Sequence, residues 1–215
     1  MTARVGLLSR NVKIISDSVE NGAIVASDLV SYYKDGVLDP SVYKGYIQMS
    51  NVELSGMGRE FLRITGIDGL GAAIQFQKSS YKHSYVQGCS IAEGNSAIVI
   101  NDSENITIAD NVIFKCKEFG IYMDGANLIA THNMFVNFVA LEDHPTAGFM
   151  YNRNHTFIDN FISSADFAIE TDGLDCNELV ETKIANNTVY SSGYAVNVYE
   201  YVLLIIIYIY EIIVF

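Results

Sequence analysis

The chain has 215 residues, half of them hydrophobic, with only two prolines and no tryptophan. This composition is enough to bury a core and leaves no proline-rich or serine-rich linker, so we predict one elongated domain. The net charge of −12 and the isoelectric point near 4.6 argue against nucleic acid or an anionic membrane surface as partner, because either would require a basic face.

Residues 1–45 are predicted to be an N-terminal segment that leads into the repeats. The first residues, MTARVGLLSRNVKIISD, lack the apolar stretch of a signal peptide, so the chain shows no secretion signal of its own. We therefore expect the chain to be a fragment of a larger protein.

Residues 46–200 carry two interleaved sequence repeats. The first repeat places an asparagine in a short apolar and β-branched setting at Asn51, Asn111, Asn133, Asn160 and Asn187. The last four of these are 22, 27 and 27 residues apart. The second repeat is a small residue followed by a short, mostly apolar strand, and it begins at Ala73, Ala97, Gly120, Gly148, Ala168 and Ala195.

Two series with a common period of 20–28 residues are typical of a β-solenoid, because this length holds about three short strands. A leucine framework is absent, and the period is too short for a propeller blade of about 40 residues. We predict an all-β fold, a single-stranded right-handed parallel β-helix. Stacked coils lie about 4.8 Å apart, so asparagines at one turn would form a ladder of amide hydrogen bonds. This structural role is favoured over ligand binding.

The apolar tail, residues 201–215, departs from the repeat. It is rich in β-branched residues and tyrosine, contains Glu211, and is shorter than the roughly 20 apolar residues of a membrane-spanning helix. It is a truncated anchor, an edge strand prone to aggregation, or translated non-coding sequence outside the native fold. We favour the last hypothesis, and a cap over the final coil is the competing one.

Catalytic carboxylates of a β-helix would come from one aligned position in successive coils. Four residues after each small residue, the chain has Gln77, Asn101, Asp124, Asn152, Asp172 and Tyr199. Asp124 and Asp172 would suit a polysaccharide lyase or glycoside hydrolase, since two coil spacings fit the separation of an inverting pair. Each precedes a glycine, however, and we favour an ordinary turn. We predict no cofactor, and a calcium site formed by Asp102, Asp124 and Asp172 is the alternative.

Other reactive side chains give weaker signals. The cysteines are too few and too scattered for a metal site or a disulfide framework, and their pairing stays open: Cys89, Cys116 and Cys176. Sequons for N-glycosylation, some of which we expect to face inward, begin at Asn101, Asn105, Asn154 and Asn186.

The basic and histidine residues also favour structural or solvated roles. Lys78, Lys82 and His83 form one loose basic cluster, which we interpret as a solvated loop. We expect His132 and His155 to be structural. The best place for a partner contact is the polar loop LEDHPTAG, residues 141–148, which includes Glu142, Asp143 and His144.

Two N-terminal motifs resemble a known family. VGLLSRNVKI (residues 5–14) and SNVELSGMGRE (residues 50–60) are similar to the beginning of the β-helical region in the fibrocystin family, which is related to the cell-surface hyaluronidases. Segments such as DNVIFKCKEFGIYMDG also resemble its coils. The hyaluronidase-like branch carries a Pro-Ile-His-Phe-His stretch where this chain has residues 73–77, so Gln75 and Gln77 replace both histidines. The resemblance implies that an imidazole mechanism is lost.

The preferred hypothesis is a non-catalytic extracellular β-helix of fibrocystin-like type with an adhesion or receptor-like role. The resemblance implies a place at the cell surface as part of a larger, membrane-tethered glycoprotein. We expect an unidentified protein or glycan as ligand, no nucleic acid, and a membrane only through other parts of the parent protein. The alternative is a hyaluronidase-like, carbohydrate-active enzyme that uses Asp124 and Asp172.

Overall fold

The computed structural model describes residues 10–16, 22–28, 32–39, 43–58, 71–139, 146–151, 155–171, 183–198, 208–209 and 212–214. In these ranges all regular elements are β-strands. The first twelve are β1 (Val12–Ile15), β2 (Ile24–Ser27), β3 (Tyr32–Lys34), β4 (Val37–Asp39), β5 (Gln48–Ser50), β6 (Val52–Ser55), β7 (Ala72–Gln77), β8 (Ser84–Gln87), β9 (Ser90–Ala92), β10 (Ser96–Glu104), β11 (Ile106–Ala109) and β12 (Val112–Phe114). The next twelve are β13 (Phe119–Ala126), β14 (Leu128–Thr131), β15 (Met134–Val136), β16 (Ala147–Tyr151), β17 (His155–Ile158), β18 (Phe161–Ser163), β19 (Phe167–Thr171), β20 (Lys183–Ala185), β21 (Asn187–Tyr190), β22 (Tyr194–Val198), β23 (Tyr208–Ile209) and β24 (Ile212–Val214).

From β5 onward, successive strands are distributed over three sheets, so that every third strand returns to the same sheet, while β3 and β4 form a separate two-stranded sheet. Sheet A has the order β1-β6-β9-β12-β15-β18-β21-β24, sheet B has β2-β7-β10-β13-β16-β19-β22, and sheet C has β5-β8-β11-β14-β17-β20-β23. Neighbouring strands within each sheet are parallel, as between β12 and β15 or β13 and β16. One circuit through sheets C, A and B is one coil, and the predicted parallel β-helix is confirmed.

The core consists of inward side chains that stack from coil to coil. In sheet A, register pairs Ile113 with Phe135, Phe135 with Ile162, and Ile162 with Val189, and all four are at most 1% exposed. The ring of Phe149 in sheet B packs at 4.4 Å from that of Phe135. Burial of such apolar surface is the main stabilising contribution, about 25 cal/mol for each Å² removed from water.

The small-residue repeat marks the start of the sheet B strands. A Cβ added at Gly120 would lie 2.5 Å from the Gly148 carbonyl oxygen and 2.5 Å from a ring carbon of Phe135. The chain therefore needs a small residue where sheet B turns inward against the side chains of sheet A. An added Cβ at Gly148 would likewise lie 2.7 Å from Ala168 O, so this requirement accounts for the two glycines of the second repeat.

Strand pairing extends beyond both predicted boundaries of the repeats. β1 pairs with β6 and β2 pairs with β7, so stacked strands begin before residue 46. In the tail, β23 pairs with β20 and β24 pairs with β21. Backbone groups form these ladders whatever the side chains are, so a segment without the repeat can still add strands. The placement favours the cap hypothesis for the tail over a segment outside the fold.

Candidate functional site

Four of the predicted asparagines form a ladder at the corner between sheets C and A. Asn111, Asn133, Asn160 and Asn187 are at most 1% exposed. The Oδ1 of each of the last three accepts hydrogen bonds of 2.9 to 3.1 Å from the backbone N and the Nδ2 of the asparagine one coil earlier. Each Nδ2 also donates to a sheet C carbonyl; for Asn133 this is Ile108 O, at 2.9 Å. These bonds give the side chains a structural role.

The structure does not place Asn51 in this ladder, contrary to the prediction. Register pairs Glu53 with Ser90, so Cys89 occupies the ladder position and donates its backbone N to Asn111 Oδ1 at 2.8 Å. Asn51 is exposed and has a φ of 56°. It belongs to a neighbouring column of positive-φ residues, which also contains Gly88, Asp110, His132, Asp159 and Asn186.

The sequence contained a signal for this difference. Two residues after each true ladder asparagine, the chain has a buried apolar residue: Ile113, Phe135, Ile162 or Val189. Two residues after Asn51 it has Glu53. The core position, rather than the local similarity of the SNV and DNV triplets, determines which residue faces inward.

Gln75 and Gln77 occupy the positions at which the related branch carries histidines. On β7 they alternate with the core residues Ile74 and Phe76, so both lie on the opposite face of the strand, where Gln75 is 8% exposed and Gln77 is half-buried. Gln75 Nε2 donates to Ala72 O at 3.1 Å, and Gln77 Nε2 donates to Gln75 Oε1 at 3.0 Å. A carboxamide neither gains nor loses a charge near neutral pH, so these side chains supply hydrogen bonds and no general acid or base.

Asp124 lies in the row of aligned positions next to these glutamines. Gln77 pairs with Asn101 on β10. Between β10 and β13 the register shifts, from Ile100 opposite Met123 to Ser103 opposite Gly125, so Asn101 and Asp102 both face Asp124. This is a β-bulge, a feature common near functional sites. The structure thus brings Gln77, Asn101 and Asp124 onto adjacent strands.

The second carboxylate cannot be placed beside Asp124. Asp172 lies outside the described residues, as do Asn152 and Tyr199, so the carboxylate pair stays a prediction. The calcium alternative also depended on Asp172. Within the described ranges, no group of three or more His, Cys, Asp or Glu side chains is arranged to hold a metal ion.

The described histidines have local structural contacts. His155 is 2% exposed, with Nε2 at 3.2 Å from Met123 O. His132 is exposed at the ladder corner, where Nε2 lies 3.6 Å from Asp159 Oδ2 and Nδ1 lies 2.7 Å from Thr131 Oγ1. His144, with Glu142 and Asp143, lies outside the described residues, so the predicted contact loop stays a prediction.

Two of the three cysteines are buried free thiols. Burial raises the pKa of the Cys116 thiol to about 12, and burial also raises the pKa of Cys89 above its ordinary value. Thiols held in the protonated form are poor nucleophiles. Cys176 lies outside the described residues.

The sequon asparagines occupy different kinds of position. Asn186 is exposed, Asn101 and Asn105 are half-buried, and Asn154 lies outside the described residues. The Oδ1 of Asn105 accepts a 3.3 Å hydrogen bond from Asn127 Nδ2 on the neighbouring coil. None of the three described asparagines is buried, and for Asn154 the expectation of an inward sequon stays a prediction.

An exposed aromatic surface was missed by the sequence analysis. Tyr46, Tyr81 and His83, here called the Tyr46 surface, lie where the chain enters sheet C. The ring centroids of Tyr46 and Tyr81 are 4.6 Å apart, and those of Tyr81 and His83 are 5.6 Å apart. Tyr46 is 53% exposed. Lys78 and Lys82 are exposed nearby, as expected for the loose basic cluster.

A hydrogen-bond network around Asp28 holds this surface in place. The Asp28 carboxylate accepts from Lys44 Nζ at 3.0 Å, from Gly45 N at 2.9 Å and from Ser80 Oγ at 2.8 Å. Burial acts to raise the pKa of this carboxyl, but the bonds from Lys44, Ser80 and Gly45 outweigh it and the pKa lies below its ordinary value. The network joins residues 44–45, directly before Tyr46, to residue 80, directly before Tyr81.

Between β2 and β5, the antiparallel hairpin of β3 and β4 interrupts the coil. Its turn at Asp35 and Gly36, with φ of 52° and 80°, follows the Asp-Gly signal of a two-residue hairpin turn. This dipeptide would have predicted the hairpin. No sequence signal would have predicted Asp28, because its partners are distant along the chain.

Comparisons with known proteins agree with this architecture. A family model described as right handed beta helix region matches residues 14–162. Mouse (Mus musculus) fibrocystin is 30% identical over 136 residues, which are 63% of this chain and 3% of fibrocystin. No solved structure matches. The chain therefore spans a very small part of the relative that it matches, and the predicted right-handed fold and fibrocystin-like character are both confirmed.

Proposed function

Because the chain belongs to the right-handed β-helix family and is a fibrocystin-like β-helix region, we propose that it is a non-catalytic contact domain of a cell-surface protein. Its role is adhesion or receptor-like binding of a protein or glycan. The proposal rests on Gln75 and Gln77. Their amides bond to the backbone and to each other, at positions where acid–base catalysis would need two titratable side chains.

A rigid scaffold supports a role in contact rather than in chemistry. The ladder of Asn111, Asn133, Asn160 and Asn187 fixes one corner of successive coils. Side chains on such a scaffold are preorganised, which lowers the entropy lost on binding. None of the described ranges forms a helix of the length and apolarity needed to cross a membrane.

The Tyr46 surface is the best candidate contact region among the described residues. Tyrosine supplies a large amphipathic contact area at a low entropic cost, and exposed tyrosines are frequent anchors of binding sites. The Asp28 network holds the rings before any ligand arrives. Binding to this surface should therefore be sensitive to single substitutions.

The test of the non-catalytic claim is depolymerisation of size-defined hyaluronan, with and without calcium. We expect no chain shortening by the purified protein. Degradation that disappears in Asp124→Asn would overturn the proposal and support the carboxylate mechanism of Asp124 and Asp172. Degradation that persists in this variant would also refute the non-catalytic claim.

The test of the contact claim is binding of the labelled protein to cultured animal cells and to a glycan array. Tyr46→Ala should lower retention at least tenfold. Tyr190→Ala is the matched control, because Tyr190 is 51% exposed and lies on β21, away from this surface. Equal binding of both variants and the parent protein would contradict the assignment of the Tyr46 surface.

A further inference from the structure

The asparagines of the described sequons lie at different positions on the coil. Asn186 is exposed and has a φ of 53° at the corner between sheets C and A. The next residue, Asn187, turns inward and donates Nδ2 to Phe157 O at 3.0 Å. The two adjacent side chains therefore have opposite roles, one in the ladder and one at the solvent-exposed edge.

We propose that Asn186 carries an N-linked glycan and that Asn101 does not. The inference rests on the proposed cell-surface location, since the modification takes place in the secretory pathway. Asn186 belongs to the exterior positive-φ column with Asp110, His132 and Asp159. A glycan at a corner of the coil leaves the sheet faces and the inward core undisturbed, so the folded domain accommodates it.

The chemistry requires a lipid-linked oligosaccharyl diphosphate as co-substrate. The Nδ2 of Asn186 forms a bond to C1 of the first sugar, the bond between C1 and the diphosphate oxygen breaks, and the lipid diphosphate leaves with the electron pair. The amide nitrogen loses one proton. The Thr188 hydroxyl completes the Asn-Asn-Thr motif that the transferring enzyme recognises.

Asn101 has the opposite environment. It lies on β10 between Gln77 and the bulge that faces Asp124, and a glycan there would crowd both neighbouring coils. The hydroxyl of its sequon belongs to Ser103, which is buried, accepts from Ser79 N at 2.9 Å and donates to Asn101 O at 2.8 Å. Once this coil has folded, the hydroxyl that the transferring enzyme must recognise is buried and bonded on both sides, and the fold selects against a glycan that would keep the coil open.

A glycan at Asn186 would also define which surfaces stay open. It would cover the corner formed by Asp110, His132 and Asp159. The Tyr46 surface lies where the chain passes from sheet B into sheet C, at another corner of the coil. The modification would therefore direct partners away from the ladder corner and leave the Tyr46 surface accessible.

The experiment expresses the whole chain behind a heterologous secretion signal in animal cells. Protein pooled from cells and medium is deglycosylated with a glycan-releasing amidase in heavy-oxygen water, which converts each occupied asparagine to a labelled aspartate. Peptide mass spectrometry then reads each site. We expect the label at Asn186 in most molecules and its absence at Asn101, and Thr188→Ala should remove the label at Asn186.

An unlabelled Asn186, or a label at Asn101, would overturn the inference. A label at Asn186 that persists in Thr188→Ala would do the same, because it would not arise from the sequon. The supplied signal makes the result independent of the native location. An unglycosylated Asn186 would therefore not contradict the proposed binding function. A failed binding test would likewise not contradict glycosylation of Asn186.

Discussion

Replacement of Asn133 by leucine should destabilise the protein more than replacement of Asn111. The side chain of Asn133 accepts from Asn111 N and Nδ2 at 3.1 and 3.0 Å, and donates to Ile108 O at 2.9 Å. Its loss removes the partner of Asn111 N, of Ile108 O and of one of the two Nδ2 hydrogens of Asn111, whose other hydrogen still bonds to Val86 O. Asn160 Oδ1 keeps a donor, because the backbone N of residue 133 still reaches it at 2.9 Å.

The same substitution at Asn111 leaves two buried groups without their partner, Cys89 N and Val86 O. A buried group without a partner costs about 1–3 kcal/mol, so Asn133→Leu should cost at least about 3 kcal/mol and Asn111→Leu at least about 2 kcal/mol. These losses are a large part of the roughly 5–15 kcal/mol of a folded domain.

Urea unfolding followed by far-UV circular dichroism measures the difference. The matched control is Gln87→Leu, because this exposed side chain makes a single 3.2 Å bond to Asp110 Oδ2 in solvent. It should change the free energy of unfolding by less than about 0.5 kcal/mol. The ladder would be refuted if Asn133→Leu and the control lowered the free energy of unfolding equally. The direction of its hydrogen bonds would be refuted if Asn111→Leu lowered the free energy more than Asn133→Leu.

Three further perturbations test neighbouring parts of the fold. Cys89→Asn places an amide at the ladder position one coil before Asn111 and should raise the free energy of unfolding by about 0.5–1.5 kcal/mol in urea titrations; a lower free energy of unfolding would contradict the register. The raised pKa of Cys116, about 12 against an ordinary 9.0, contributes stability that is complete below pH 9 and lost as the pH rises toward 12. Between pH 9 and pH 12 the urea midpoint should fall further in the parent protein than in Cys116→Ala. An equal fall in both proteins would contradict the contribution of this thiol. Truncation after Tyr201 removes β23 and β24 and should lower the thermal midpoint of unfolding. An unchanged midpoint would support the hypothesis that the tail lies outside the fold.

The repeat predicted the fold because a β-helix places equivalent residues at equivalent positions in each coil. The spacing of Asn111, Asn133, Asn160 and Asn187 therefore translated directly into a stacked column. Asn51 was assigned to the same column because its neighbours in sequence look alike, although pairing of Glu53 with Ser90 shifts it by one residue. The local sequence thus identified the turn at Asn51 but not its alignment with the turns of the other coils.

The candidate contact surface was not predictable in the same way. Tyr46 and Tyr81 are 35 residues apart in sequence, and Asp28 is 52 residues from Ser80. The hairpin of β3 and β4 interrupts the period, so no repeat aligns these residues. Their proximity follows from the pairing of β5 with β8, which only the three-dimensional structure provides.

The most direct test of the ladder-stabilised β-helix is NMR on the isotopically labelled chain. The stacked β-helix predicts through-space contacts from Ile113 to Phe135, from Phe135 to Ile162 and from Ile162 to Val189. It also predicts side-chain amide protons of Asn111, Asn133 and Asn160 that exchange with solvent far more slowly than that of the exposed Asn127. Contacts of antiparallel or helical type in these segments, or equally fast exchange of all four asparagine amides, would contradict it.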